Sequence, residues 1–306
     1  MGKRLEVLFN PKAGEGRFGI REKELRERIR KTARAKGVDL KMEVYASTMP
    51  HEILSLAEEA VEREVDIIAG AGGDGTTNEV ANAIAGTDVA LGIIPIGSGN
   101  DSLTSIKGNY SVDGAIEDIV TGSPVPMDIG KVNGDHFLNV LGIGLDAEVN
   151  HETQRRKHHV KSIGPTASYI WSAVKVIPFY KPKRIRASVD GDDPIDITIM
   201  MATVGNGDTC GGGFKITPEA RVNDGLLDLS MIEATGKLRS LKKIPTVFKG
   251  KHLGMREVHY SKFERMRLES LQGDLVYQID GEDLKASKFD IELIPDGINI
   301  MHPIGH

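Results

Sequence analysis

Two short stretches of this 306-residue chain pack glycine, carboxylate and hydroxyl residues closely enough to do phosphate chemistry. The first is Gly70-Ala71-Gly72-Gly73-Asp74-Gly75-Thr76-Thr77-Asn78, directly after the apolar run 65–69, and the second is Gly97-Ser98-Gly99-Asn100-Asp101, after the run 89–95. Glycines let the backbone approach a ligand with its N–H groups turned inward. A helix N-terminus behind such a turn carries partial positive charge, so the arrangement favours phosphate. The first stretch also satisfies the G-x-G-x-x-G of a dinucleotide site. That site needs an acid at the end of the next strand for the ribose hydroxyl, but Asp88 precedes that strand, and the expected position holds the second glycine loop. Two aspartate-bearing loops suit a metal-bound triphosphate better than a nicotinamide. No Walker lysine motif exists, because Gly236-Lys237 and Gly250-Lys251 lack the following Ser/Thr and the upstream glycine.

The elements around these turns alternate. Strands are expected at 4–9, 41–45, 65–69 and 89–95, and helices at 20–35, 51–62 and 76–85. Such alternation means a parallel sheet flanked by helices, with ligands beyond the carboxyl ends of the strands, where the Asn10, Gly70 and Gly97 loops all leave. After Ser123-Pro124-Val125-Pro126 strands dominate, at 127–132, 136–142, 184–189, 195–204, 226–232, 265–269, 276–279 and 289–293, with helices at 147–157 and 166–176. The expected fold is therefore an α/β nucleotide-binding domain (1–124) plus a β-rich, mostly antiparallel, sandwich-like second domain (125–294), with the active cleft between them.

Three segments together resemble the catalytic domain of the diacylglycerol kinase family, a lipid-kinase group that includes sphingosine and ceramide kinases. They are Asn10-Pro11-Lys12-Ala13-Gly14, Gly72 to Val80, and Pro95 to Asp101. The likeness continues through Gly211-Gly212-Gly213-Phe214-Lys215-Ile216-Thr217-Pro218-Glu219-Ala220, Asn223-Asp224-Gly225-Leu226-Leu227-Asp228 and Gln278-Ile279-Asp280-Gly281-Glu282. Order and approximate spacing hold over nearly the whole chain. The resemblance implies the same two-domain fold, with the C-terminal tail (about 295–306) returning to the first domain. It also implies transfer of the γ-phosphate of ATP to the hydroxyl of a diacylglycerol-like lipid, with Mg²⁺. Such transfer works chiefly by positioning and electrostatics, with a carboxylate taking the hydroxyl proton.

By resemblance Glu282 is the base, and Asp74 and Asp101 are carboxylates for the catalytic metal. The nucleotide would be held by Asn10, Lys12, Ser47, Thr48, Gly72, Gly73, Asp74, Gly75, Thr76, Thr77, Asn78 and Ser98. A second, structural Mg²⁺ would sit on the Asp224 side chain and the carbonyls of Arg221 and Leu226, oxygen ligands suited to a hard cation. Ser98-Gly99-Asn100 is closer to the sphingosine and ceramide branch than to the bacterial one, which leaves the acceptor lipid open. Other readings are an NAD kinase, which shares Gly-Gly-Asp-Gly-Thr, and a nucleotide-binding protein without catalysis.

Net charge is −5, giving no global basic field for nucleic acid. Cys210 is the one cysteine, so an intrachain disulfide is excluded, and it reads as a packing residue. No signal peptide is expected, and the apolar stretch 169–180 is too short to span a bilayer. The expected location is cytoplasmic, peripheral at the inner membrane face, with a lipid substrate at the membrane surface; a homodimer is left open. Basic clusters at 155–161, 181–186 and 237–251 could meet anionic headgroups, though such runs are more often solvated faces. His158 and His159 read as solvent-facing.

Overall fold

The structure, a computed structural model, describes residues 2–16, 20–108, 110–156 and 164–302. It forms two compact units, Met1–Asp128 with Pro295–His306, and Ile129–Ile294.

The first unit contains β1 (Lys3–Phe9), α1 (Glu22–Lys36), β2 (Leu40–Ala46), α2 (Glu52–Glu62), β3 (Ile67–Gly72), α3 (Asp74–Ile84), β4 (Ala90–Pro95), α4 (Asp101–Lys107) and α5 (Val112–Thr121). Its strands pair in parallel in the order β4-β3-β1-β2, with Val7 beside Ala69 and Ala69 beside Gly92. These strands read as near-continuous apolar runs because helices cover the sheet, and β3 and β4 are buried at every position. Helix α1 shows how the sequence writes such a cover. Leu25, Ile29 and Ala33 recur every four residues and are buried, acids open the helix, bases close it, and Gly37 ends it in the left-handed region at φ 65°. The core joins Leu5, Val7, Ile29, Ile94, Ile116 and Ile119.

The second unit is antiparallel and β-rich. It begins within β5 (Ser123–Val132) and continues through β6 (Asp135–Phe137), β7 (Val140–Gly144), α6 (Leu145–Arg156), α7 (Pro165–Val176), β8 (Lys183–Val189), β9 (Ile195–Gly205) and β10 (Leu227–Glu233). It is completed by α8 (Lys237–Phe248), β11 (Val258–Phe263), β12 (Arg265–Ser270), β13 (Leu275–Ile279), β14 (Glu282–Ala286) and the first part of β15 (Lys288–His302). Strand β9 is shared: its early residues pair with β8, and Met201–Gly205 lies between β7 and β10. The first part of β15 pairs with β12. In the first unit its last residues lie beside β4, Asn299 against Ala90. Phe137, Leu141, Val204, Phe263, Leu268 and Phe289 fill the core between the strands. Among the described residues no helix is long and apolar enough to cross a membrane.

The structure corrects three expectations. The strand expected over 136–142 is two strands, because the chain at Leu138 and Asn139 turns its N–H groups to the Asp280 carboxylate instead of a neighbouring strand. The stretch 237–251, read only as a basic cluster, contains α8. Leu241, Ile244, Val247 and Phe248 of that helix pack on one side against a core of α6 and α7 residues, the 3.6-residue spacing of an amphipathic helix. Helices α4 and α5 were not anticipated either. His158 and His159, with the rest of 157–163, lie outside the described residues.

Candidate active site

Sequence reasoning ends the strand at Ala69 and starts the helix at Thr76, but strand β3 continues through Gly70 and Gly72 and only Gly73 stands between it and α3. The glycines serve close packing. A Cβ on Gly72 would lie 2.2 Å from the Thr76 hydroxyl, and one on Gly97 would lie 2.2 Å from the Gly73 Cα. The two glycine loops therefore touch backbone to backbone, which side chains at these positions would forbid. Asn100, in the left-handed region at φ 56°, locks the second loop. Its Oδ1 accepts the Gly97 N–H at 3.1 Å and its Nδ2 donates to the Gly97 carbonyl at 3.1 Å.

This packing brings two of the expected carboxylates together. Asp74, at the first position of α3, accepts the Ser102 N–H at 2.9 Å. Gly99 lies against both acids, since a Cβ there would be 3.2 Å from Asp74 Oδ2 and 3.6 Å from Asp101 Oδ2. Two carboxylates beside the free N–H groups of a helix N-terminus make a donor set that fits a hard divalent cation bridging phosphates.

The other nucleotide candidates of this unit gather at the same sheet edge. Asn10 leaves β1 with its N–H on the Ala71 carbonyl (2.9 Å) and its Nδ2 donating to the Thr76 hydroxyl (3.1 Å). The Lys12 N–H donates to Asn10 Oδ1 at 3.0 Å, leaving an exposed Lys12 on the loop. Ser47 is buried and donates its N–H to the Phe9 carbonyl. Thr48 gives both its N–H and its hydroxyl to Glu52 at the start of α2, so that hydroxyl is already engaged. Thr76, Thr77 and Asn78 are buried on α3, whereas Ser98 is exposed.

In the second unit Glu282 is half-buried and opens β14 directly after the hairpin turn Asp280-Gly281, whose φ angles of 47° and 97° are those of a tight two-residue turn. This turn is heavily braced. The Asp280 carboxylate accepts N–H groups from Leu138 (2.8 Å), Asn139 (3.1 Å) and Val140 (2.8 Å). Gln278 Oε1 accepts the Gly281 N–H at 2.7 Å, while Asn150 and Gln154 of α6 each donate to the Gly281 carbonyl at 2.8 Å. Gln278 also donates to Asp146 at 3.1 Å, and Asp146 accepts the Tyr169 hydroxyl. Burial pushes the Asp146 carboxyl up from the ordinary carboxylate range, against the pull of these two donors.

Asp146 and Tyr169 also line an apolar cavity of about 100 Å³, walled further by Val149, Ala173, Ile177 and Ile244. His252 also lines it, its basicity lowered by burial. Asn100, Asp146 and Asn150 were missed as site residues by sequence reasoning. An acid inside the otherwise apolar run 140–147 was the signal available for Asp146.

The third acidic turn differs. Asp224 Oδ2 pairs with the Lys262 ammonium at 2.6 Å, and Oδ1 faces the Leu226 N–H at 3.3 Å. The same ammonium lies 3.5 Å from buried Asp228 and 3.4 Å from the Glu219 carbonyl. The Lys262 ammonium thus stands beside Asp224, so a divalent ion on the expected Arg221, Asp224 and Leu226 set would have to share or displace it.

Comparison with known proteins agrees along the whole length. Residues 4–132 match the diacylglycerol kinase catalytic domain, and residues 139–302 match the YegS C-terminal NAD kinase beta sandwich-like domain. The chain is 33% identical over 252 residues to a Pectobacterium atrosepticum protein named "Probable lipid kinase YegS-like", covering 80% of this chain and 81% of that one. It is 31% identical over 285 residues to a diacylglycerol kinase of Staphylococcus epidermidis, covering 92% and 86%. A solved diacylglycerol kinase structure from Bacillus anthracis superposes with a TM-score of 0.71 at 21% identity, covering 99% and 97%, which speaks to the fold alone.

Proposed function

The chain belongs to the diacylglycerol kinase family, and we propose that it transfers the γ-phosphoryl group of ATP to the hydroxyl of a diacylglycerol-like lipid in the presence of Mg²⁺. The observation that carries this reading is the backbone contact between Gly73 and Gly97, which gathers Asp74 and Asp101 beside the amino end of α3. A dinucleotide site has no use for two carboxylates there, since the phosphates would meet like charge. A metal-bound triphosphate does.

The roles follow from the chemistry. The N–H groups of Gly75 and Thr76 at the start of α3 receive phosphate oxygens, with the helix terminus favouring their charge, and Thr77 follows on the same turn with its N–H held by the Gly73 carbonyl. Asn10 fixes Thr76 and the Lys12 loop, Lys12 adds a point charge, and Ser98 contributes a hydroxyl. Ser47 or Thr48 offers a hydroxyl to the nucleotide from the neighbouring loop, Thr48 only by giving up its bond to Glu52. Asp74 and Asp101 would hold Mg²⁺, which supplies charge neutralisation on the transferred group. Glu282 takes the proton of the attacking hydroxyl, with its position set by the braced Asp280-Gly281 turn. The apolar cavity beside Asp146 supports an acyl-bearing acceptor.

The test is transfer of labelled phosphate from ATP to diacylglycerol, sphingosine, ceramide and NAD in parallel. Label in diacylglycerol supports the reading; label in NAD alone, or tight ATP binding with no transfer, overturns it. Glu282→Gln is expected to cut turnover by about 10²–10⁴-fold with an unchanged melting temperature. Full turnover in that variant would remove its role as base.

A further inference from the structure

Two segments of the second unit carry charge of one sign. Residues 164–189 contain five Lys or Arg and no acid, and residues 234–256 contain seven and no acid, in a chain whose net charge is −5. In space they are neighbours: α7 packs against α8, and Lys237 at the start of α8 donates to the Pro178 carbonyl just beyond α7. Some of these cations are answered locally, Arg184 and Arg186 by Asp196, and Arg239 and Lys243 by Glu257. Lys175, Lys181, Lys237 and Lys242 have no acidic partner among the described residues.

Large apolar side chains stand among these cations. Phe179 is 83% exposed, Leu238 68% and Val174 47%. Trp171 lies at the same surface, with the Lys175 ammonium 3.9 Å and the Arg156 guanidinium 4.5 Å from its ring centre. Helix α8 buries no residue fully. Its inner face, Ile244 and Val247, lines the apolar cavity, and its outer face offers Leu238, Lys242 and Pro245 to solvent. Aromatic and aliphatic tips ringed by long basic side chains suit a surface that is apolar below and anionic above.

We propose that the α7–α8 face, with Phe179 and Leu238 at its centre and Lys175, Lys181, Lys237 and Lys242 around them, docks on an anionic lipid bilayer. The same two helices wall the cavity, so docking sets the cavity wall against the membrane, where a lipid can enter it. This deepens the lipid-kinase reading, and rests on it only for the identity of what enters.

The experiment is co-sedimentation of the full chain with vesicles of phosphatidylcholine alone or mixed with phosphatidylglycerol, at low and high salt. The wild type is expected to partition onto the anionic vesicles, less so as salt rises. Lys181→Gln/Lys237→Gln/Lys242→Gln should weaken that partition roughly 100-fold, and Phe179→Ser/Leu238→Ser about 10-fold or more. Both variants should phosphorylate a short-chain diacylglycerol dissolved as monomers at the wild-type rate, which also reports that they fold. Equal partition of variants and wild type, or no partition of the wild type, overturns the proposal. So does a wild-type dimer that the variants break while vesicle binding is unchanged, because the face would then be a contact between copies. Vesicle binding requires no turnover, so a wild type that docks but labels no lipid keeps this surface and discards the kinase reading.

Discussion

The turn at Gly73 and the turn at Asp280 each present a carboxylate at the end of a strand, and they are made rigid by opposite means. The first is held by the absence of side chains: Gly72 admits Thr76, and Gly97 admits the Gly73 backbone. The second is held by an excess of them, with Asp280, Gln278, Asn150 and Gln154 converging on a two-residue turn. The proposed phosphate site needs bare N–H groups that can come close to a ligand, and packing backbone on backbone gives it rigidity without side chains in the way. The proposed base, Glu282, must hold one carboxylate at one place, and hydrogen bonds to the turn that carries it provide that rigidity.

Breaking the side-chain-held turn should have the larger effect. Asp280→Ala leaves three buried N–H groups without an acceptor, and is expected to cost about 3–5 kcal/mol in urea unfolding as well as most of the turnover. A loss under 1 kcal/mol would mean that the three donors find other partners and that the turn is held elsewhere. Gly97→Ala should break the backbone-held turn more mildly. The two loops must separate, at a cost of about 1–3 kcal/mol, and ATP binding by calorimetry should weaken about tenfold or more. Wild-type affinity in Gly97→Ala would show that the loop contact does not shape the phosphate site.

The same contrast explains what the sequence makes legible. Backbone-held turns are written locally. Four glycines within six residues after an apolar strand, and a second glycine loop after the next one, are visible without a structure, as is the alternation of β1 to β4 with helices. The reading still errs in detail, taking Gly70 and Gly72 for turn residues when they are strand residues cleared for a helix. A side-chain-held turn is written at a distance. The Asp280-Gly281 turn is braced by residues 138–140 and 150, some 140 and 130 positions earlier, and no periodicity connects them. The break between β6 and β7 has the same remote cause. Helix α8 escapes for another reason: a polar, Pro-containing stretch has weak helical preference, and what holds it is tertiary contact with α7 and the cavity wall.

Asp146 sharpens the comparison, because it joins the braced turn to the cavity through Gln278. Its carboxyl is raised by burial, so the folded protein holds this proton to higher pH than the unfolded chain does. Over that interval the native state binds more protons, and stability falls as pH rises from the ordinary carboxylate range through the raised value. Asp146→Asn should remove this slope, reading as a flatter dependence of unfolding free energy on pH above the ordinary carboxylate range. An unchanged slope would place the titration elsewhere.

The smallest expected effect concerns the third acidic turn, which is held neither by glycine packing nor by a hydrogen-bonded brace but by an internal cation. Lys262 spans Asp224 and Asp228, and Asp228 is fully buried with its carboxyl pushed up by burial. Removing the ammonium in Lys262→Met leaves two carboxylates and the Glu219 carbonyl around the space it filled, a set of oxygens suited to a hard cation. The variant should melt lower than the wild type in EDTA. It should also regain more stability than the wild type does on adding Mg²⁺, by a few degrees, about the shift expected for 1 kcal/mol of ligand linkage. The comparison of the two Mg²⁺ responses is what matters, since an ion at Asp74 and Asp101 raises both proteins alike. An equal response in the two proteins would mean that the ammonium and a divalent ion do not compete, and that Asp224 serves a metal with Lys262 in place.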